Sequence, residues 1–327
     1  MAGPPRGRHR EGRLTAQRWW RWLQWLLGAG LVVLAGRSLW HNWSDLQAQR
    51  IAWSVRPAWL AAALGVMFAS YALQIEVWRR VVQALGFRLR WVQAARVCTV
   101  SNLGKYIPGK VWAIAGAALL AQREGVAAGA AVAAAVLLQG LALASGVAVS
   151  AFLAPDVLGG LAPGLRATIW VVGALAVAGS FTLSIPPARA VIQRLLPARV
   201  PPLPTLAPGV LAGALAVNGL VWGATGLSFV WLARGLLDGV TIPWALATAV
   251  FTLSYIAGLI AVFAPGGLLV RESLVVLLLQ GLVGPKIALA LALASRVLLT
   301  CAELGAALPF LPGTRTPPSL STAPEPR

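Results

Sequence analysis

Long apolar runs separated by short basic stretches dominate the chain, and their lengths predict helices rather than strands. Residues 23–40, 59–82, 126–153, 165–185, 209–233, 243–264 and 286–308 form seven such runs. Each is near the ~20 residues that carry an α-helix across ~30 Å of hydrocarbon. Two further stretches fall short. Residues 91–107 would make about 25 Å of helix and residues 110–122 about 20 Å. They are joined by Pro108-Gly109, a helix break. A second break, Ala264-Pro265-Gly266-Gly267-Leu268-Leu269-Val270-Arg271-Glu272, precedes the short apolar stretch 273–283. The pattern predicts an all-α polytopic membrane protein with about seven full spans plus two broken or re-entrant segments.

Composition fixes the class independently. With 58% hydrophobic residues, 11% charged residues and a mean hydropathy of +0.77, the chain cannot clothe itself in a polar surface. The formal charge of +18 comes from 27 Lys+Arg against nine Asp+Glu. Those cations cluster at the ends of apolar runs, where they set topology and meet anionic headgroups. No soluble, aromatic-interleaved basic module is present, so nucleic acid is not a predicted partner. Cys98 and Cys301 lie inside apolar runs, and His9 and His41 are too scattered to form a ligand cluster, so no metal or cofactor is predicted.

Charge also orders the spans. Residues 1–21 carry Arg6, Arg8, Arg10, Arg13, Arg18 and Arg21 before the tryptophans 19, 20, 22 and 25, which predicts a cytoplasmic N terminus in a plasma (inner) membrane. A signal peptide cleaved after Val33-Leu34-Ala35 is the competing reading, and the near-full crossing length favours an uncleaved anchor. Arg79, Arg80, Arg88 and Arg90 mark the cytoplasmic end of the second span. The Pro- and Arg-bearing loop 186–208, with Arg189, Arg194 and Arg199, divides the transmembrane domain 22–308 into halves 22–185 and 209–308. If both basic loops are cytoplasmic, segment 91–122 begins and ends on that side, which makes it a re-entrant hairpin. The breaks at Pro108 and Pro265 occupy corresponding places in the two halves, the pattern of a transporter built from repeats. A Pro/Ser/Thr-rich tail, 309–327, is expected to be disordered.

The candidate chemistry gathers at these breaks. Lys105 and Lys110, two of only three lysines, bracket the first, and a basic half-helix start suits a phosphate. The alternative is that both snorkel to headgroups while Pro108-Gly109 simply turns the chain. The spacing Gly104 to Lys110 mimics a P-loop, but Val111 stands where Ser/Thr would hold magnesium and Pro108 removes a needed N–H. Arg271 and Glu272 are either a substrate clamp and gate or a mutual ion pair. Glu76 and Glu303 are intramembrane carboxylates with a gating or ion-handling reading. For Glu76 an i, i+3 or i+4 pair with Arg79 or Arg80 is the simpler account, and Glu303 lies two turns beyond Arg296. Tryptophans 40, 59, 91, 112, 170, 231 and 244 sit at span ends, as interfacial belts do.

Two motifs, Asn102-x-x-Lys105-x-x-Pro108-Gly109-Lys110 and Pro265-x-Gly267-x-x-x-Arg271-Glu272, resemble those of the flippase-like family typified by the membrane region of lysylphosphatidylglycerol synthetase, the multiple peptide resistance factor. The similarity extends over most of residues 20–308. It implies movement of a membrane lipid, anionic or polyprenyl-phosphate in type, between leaflets. It also implies work beside a partner enzyme of lipid or glycan synthesis, with Asn102, Lys105, Lys110 and Arg271 on the lipid phosphate and Pro108, Gly109, Pro265, Gly266 and Gly267 shaping the breaks. This chain departs from the common pattern at Gly109-Lys110 and at Gln139, where family members often carry charged pairs, and it lacks the aminoacyl-transfer domain. The alternatives are a membrane-embedded transferase acting on a lipid phosphate, for which no Asp-x-Asp or His-carboxylate constellation appears, and a lipid-binding scaffold that moves nothing.

Overall fold

Proline opens three of the four longest helices, because its fixed φ and missing N–H suit a first helical turn. The structure, a computed structural model, describes residues 53–106, 111–153, 165–195, 205–261, 264 and 267–311. The basic segment 1–21, the expected first span 23–40 and the chain beyond Leu311 lie outside these. In order come α1 (Pro57–Ala84), α2 (Trp91–Asn102) with a 3-10 turn Leu103–Tyr106, α3 (Val111–Arg123), α4 (Ala128–Leu153) and α5 (Leu165–Ser180) with a turn Phe181–Ser184. Then follow α6 (Pro186–Leu195), α7 (Pro208–Leu236), α8 (Trp244–Ile260), α9 (Val270–Val283) and α10 (Pro285–Ala307) with a turn Leu308–Phe310. Regular structure among the described residues is helical, apart from a single bridge between Trp53 and Leu237.

Four helices are long and apolar enough to cross a membrane: α1, α4, α7, and α10 with its following turn. Trp170–Ser180 and α8 are shorter apolar helices. The expected full span 243–264 is thus a helix of 17 residues, ended at Ile260 ahead of the Pro265-Gly266-Gly267 break. Loop 186–208 opens with a helix, α6, whose paired prolines 186 and 187 start it and whose Arg194 lies in its last turn. Order continues past residue 308, since Phe310 packs against the cluster of Trp78, Val81 and Leu89.

That cluster defines one end of the bundle. It brings together the end of α1, the start of α2, the end of α3, the start of α4 and Val210 of α7. At the other end Ser54 N–H donates to Leu236 O and Arg56 N–H to Gly235 O, both at 2.9 Å, so α1 starts where α7 ends. The two helices run antiparallel. Small residues let them close on each other: Ser228 Oγ donates to Ala63 O at 2.8 Å.

Helices α2 and α3 form a short antiparallel hairpin. Its open end is tied by Glu124, which accepts from Gln93 Nε2 at 2.8 Å and from Arg96 Nη1 at 3.4 Å. At its tip Gly104 lies against the backbone of α3, where a Cβ would come within 2.8 Å of Ala113 N and Trp112 C. Gly104→Ala is therefore expected to cost about 1–3 kcal/mol through a backbone clash that cannot rotate away. A lowered unfolding temperature in detergent checks this, with Gly65→Ala, where no atom lies within 4 Å, as the unaffected control.

Helices α8 and α9 form a second hairpin. The tip closes where Gly258 meets Gly267, which holds φ at +71°, and the Arg271 stem. Leu269, at φ +68°, takes the same left-handed side without a glycine's freedom, a strained start to α9. The packing then repeats. Helix α4 packs on α3, α7 and α8, and α10 packs correspondingly on α9, α1 and α2. The order long helix, hairpin, long helix of α1–α4 therefore recurs in α7–α10 with the chain direction reversed.

Candidate functional site

The hairpin tips approach each other through α10. Glu303, on α10 and only 3% exposed, accepts a hydrogen bond from Lys105 Nζ in the first tip. It also accepts from Tyr106 Oη at 2.6 Å and from Tyr71 Oη, midway along α1, at 3.0 Å. One turn earlier Thr300 Oγ1 stands 3.3 Å from Tyr106 Oη. Arg296, about one turn earlier still, lies over the Tyr106 ring at 5.9 Å and 3.7 Å from Glu272 Oε1 of α9.

Arg271 enters from the second tip. Its side chain is buried at 8% exposure between two rings, 5.2 Å from the Phe251 centroid and 4.9 Å from that of Tyr255. Among the described residues no carboxylate lies within ion-pair distance of it. Lys105 and Arg271 are close enough to repel one another, and Glu303 acts on both. The cluster thus holds three cations, Lys105, Arg271 and Arg296, against two carboxylates, Glu272 and Glu303. All three tyrosines of the chain, Tyr71, Tyr106 and Tyr255, belong to it.

Beside the cluster opens a cavity of about 680 Å³, within the size range of ligand sites. Its wall is mostly apolar, drawn from α1, α2, α3, α4, α7, α8 and α10. Lys105, Glu303, Tyr71 and Tyr255 mark its charged side, and Gln74, Asn102, Gln139 and Asn218 supply neutral polar groups. Ile114 and Val136 line it while remaining exposed, which leaves the space open on that flank.

The sequence candidates sort as follows. Asn102, Lys105 and Glu303 line the cavity, and Arg271 and Glu272 join the cluster beside it. Arg271 and Glu272 do not pair with each other: Glu272 turns to Arg296 and Arg271 to the rings. Glu76 stands apart, held by Arg79 at 2.8 Å and by Arg80 at 2.7 Å. Gly267 shapes the second tip, whereas Pro108, Gly109, Lys110, Pro265 and Gly266 lie outside the described residues. Sequence reasoning missed the tyrosines and undervalued Arg296. Their signal was polarity inside apolar spans, and for tyrosine its scarcity.

Long apolar helices surround this cluster of three cations and two carboxylates among the described residues, as in a membrane-embedded protein. The sequence matches the lysylphosphatidylglycerol synthase TM region family over residues 21–303, and the chain belongs to that family, which makes it a membrane lipid-related protein. No curated protein matches it.

Proposed function

We propose that this protein moves a phosphate-bearing lipid between leaflets, with the phosphate held at Lys105 and Arg271. In this reading the two hairpins are re-entrant, enter from opposite faces as an inverted repeat, and meet near the midplane, where broken helices of repeat-built transporters bind substrate. The Arg79, Arg80, Arg88 and Arg90 end faces the cytoplasm, as the positive-inside rule requires. The observation that carries the reading is the excess of cations over carboxylates, among the described residues, in the cluster beside a cavity. Such a charge is costly at membrane depth unless an anion joins it. The cavity's apolar wall suits acyl or prenyl chains trailing behind the headgroup.

The test is transbilayer movement of a headgroup-labelled phospholipid in vesicles reconstituted with the full chain. Movement above protein-free vesicles is expected. Gly140 lines the cavity and a Cβ there meets no atom within 4 Å, so Gly140→Trp is expected to fold and to slow movement several-fold by filling the space. Equal rates with and without protein, for both phospholipid and polyprenyl phosphate, overturn the proposal. Product formed from a nucleotide-activated donor would instead favour a transferase.

A further inference from the structure

Helix α10 carries an apolar stripe on its outer side. Leu293, Val297, Cys301, Leu304 and Leu308 recur every three or four residues, the spacing of one helix face, and all five are exposed. Leu293, Val297 and Cys301 also line a groove of about 810 Å³ between α10, α1 and the end of α7. Its wall is apolar apart from Lys286, and Trp53, where the described chain begins, forms part of it.

The other half of the repeat shows what covers such a stripe. Counted from the first residue of each helix, Ala144, Val147 and Ala151 of α4 stand where Cys301, Leu304 and Leu308 stand relative to α10. On α4 these places are closed. Ala144 and Ala151 are buried, and Gly173 of α5 lies so near that a Cβ on it would be 3.3 Å from Val147 Cγ1. Trp170 of α5 meets Phe152 edge-on at 6.3 Å, so α5 runs antiparallel to α4. Helix α5 is the apolar helix ahead of α7. The matching element ahead of α1 is the apolar run 23–40, which lies outside the described residues.

Direction and length agree with that match. A span that ends where α1 begins runs antiparallel to α1. Helix α10 runs parallel to α1, since Met67 packs on Leu299 and Tyr71 reaches Glu303. Antiparallel neighbours need only a short link, and residues 41–52 supply one. As a helix, residues 23–40 would be about 27 Å long, the same as the rise of α10 from Lys286 to Leu304. Ala61, Ala290 and Ala294 in the groove, and Gly28, Ala29 and Gly36 in the run, allow close approach.

We infer that residues 23–40 are retained as a membrane helix seated in this groove, antiparallel to α10 as α5 is to α4. Each half of the repeat then has the order apolar helix, long helix, hairpin, long helix. The stripe lies about a quarter of a turn round α10 from Arg296, Thr300 and Glu303. The seated helix therefore backs the element that joins both hairpin tips, whatever lipid the cavity takes.

Oxidative cross-linking in native membranes tests this. In the full chain carrying Cys98→Ala, Cys301 is the one cysteine left. Gln24→Cys, Trp25→Cys, Leu26→Cys and Leu27→Cys each add a second, together covering the turn level with it. At least one of the four is expected to form a disulfide with Cys301 inside a single chain, identified by mass spectrometry of the linked peptides. Leu39→Cys, about 20 Å further along the helix, is expected to form none. A dimer-sized product would put a second copy in the groove, and no product from any of the four would leave it to lipid. Either result overturns the inference, as does an intact mass showing residues 23–40 cleaved away. In the otherwise unaltered chain, Val297→Trp is expected to lower the unfolding temperature in detergent by several degrees, because a packed seat has no room for the larger ring. An unchanged unfolding temperature would mean a lipid-facing surface and overturns the inference as well.

Discussion

Glu303→Leu is expected to destabilise the protein by about 3–5 kcal/mol, the cost of stranding a buried partner charge. Three donors converge on this carboxylate, and it is almost fully enclosed. Without it Lys105 faces Arg271 and Arg296 with only Glu272 to offset three cations. The loss follows from imbalance and not from missing contacts alone, so it is recoverable. Lys105→Met together with Glu303→Leu replaces the pair by apolar groups of similar bulk, and buried pairs so replaced are commonly no less stable. Thermal unfolding in detergent is expected to show a deep fall for Glu303→Leu and a return toward wild type in the double variant. Lipid movement is expected to stay lost in the double variant, because it lacks the Lys105 ammonium. If the double variant falls as far as the sum of the singles, the two residues are not coupled, and Glu303 has a different structural role.

The elements were legible because each rests on local chemistry. Runs of apolar residues marked the four long helices, and the Pro-Gly and Pro-Gly-Gly sequences fall in the gaps between the described helices of each hairpin. Even the Glu76 contact was readable, since residues three and four apart share a helix face. Arg271 and Glu272 show where such reading ends. As neighbours in sequence they looked like a pair, but adjacent helical residues point about 100° apart. One therefore reaches the α8 rings and the other Arg296 of α10. The partnership of Lys105 with Glu303 spans 198 positions, and no spacing rule connects them. It arises because α10 packs on α1 and α2, a consequence of the repeated packing of long helices around hairpins. Tyr71 and Tyr106 were hidden for the same reason: each looks interfacial alone and is informative only beside the carboxylate both donate to.

Arg271→Met is expected to move stability and function in opposite directions. The guanidinium is buried against two aromatic faces, contacts worth about 0.5–2 kcal/mol, with no carboxylate in ion-pair reach among the described residues. Desolvating an arginine costs several kcal/mol, so its place in the empty fold is a net liability. An apolar side chain there keeps packing against Phe251 and Tyr255 and removes that cost. The unfolding temperature of Arg271→Met is therefore expected to equal or exceed wild type. Anionic lipid affinity is expected to drop about 10- to 100-fold, as for the loss of a charge-assisted hydrogen bond worth about 1.5–3 kcal/mol. Arg271→Lys keeps the charge but loses the planar fork that sits between the rings and whose geometry suits two phosphate oxygens at once, so it is expected to fall between. Lipid binding and thermal unfolding measured on the same preparations decide the matter. A variant that loses stability and keeps its lipid would make Arg271 a structural residue and remove the second tip from the phosphate site.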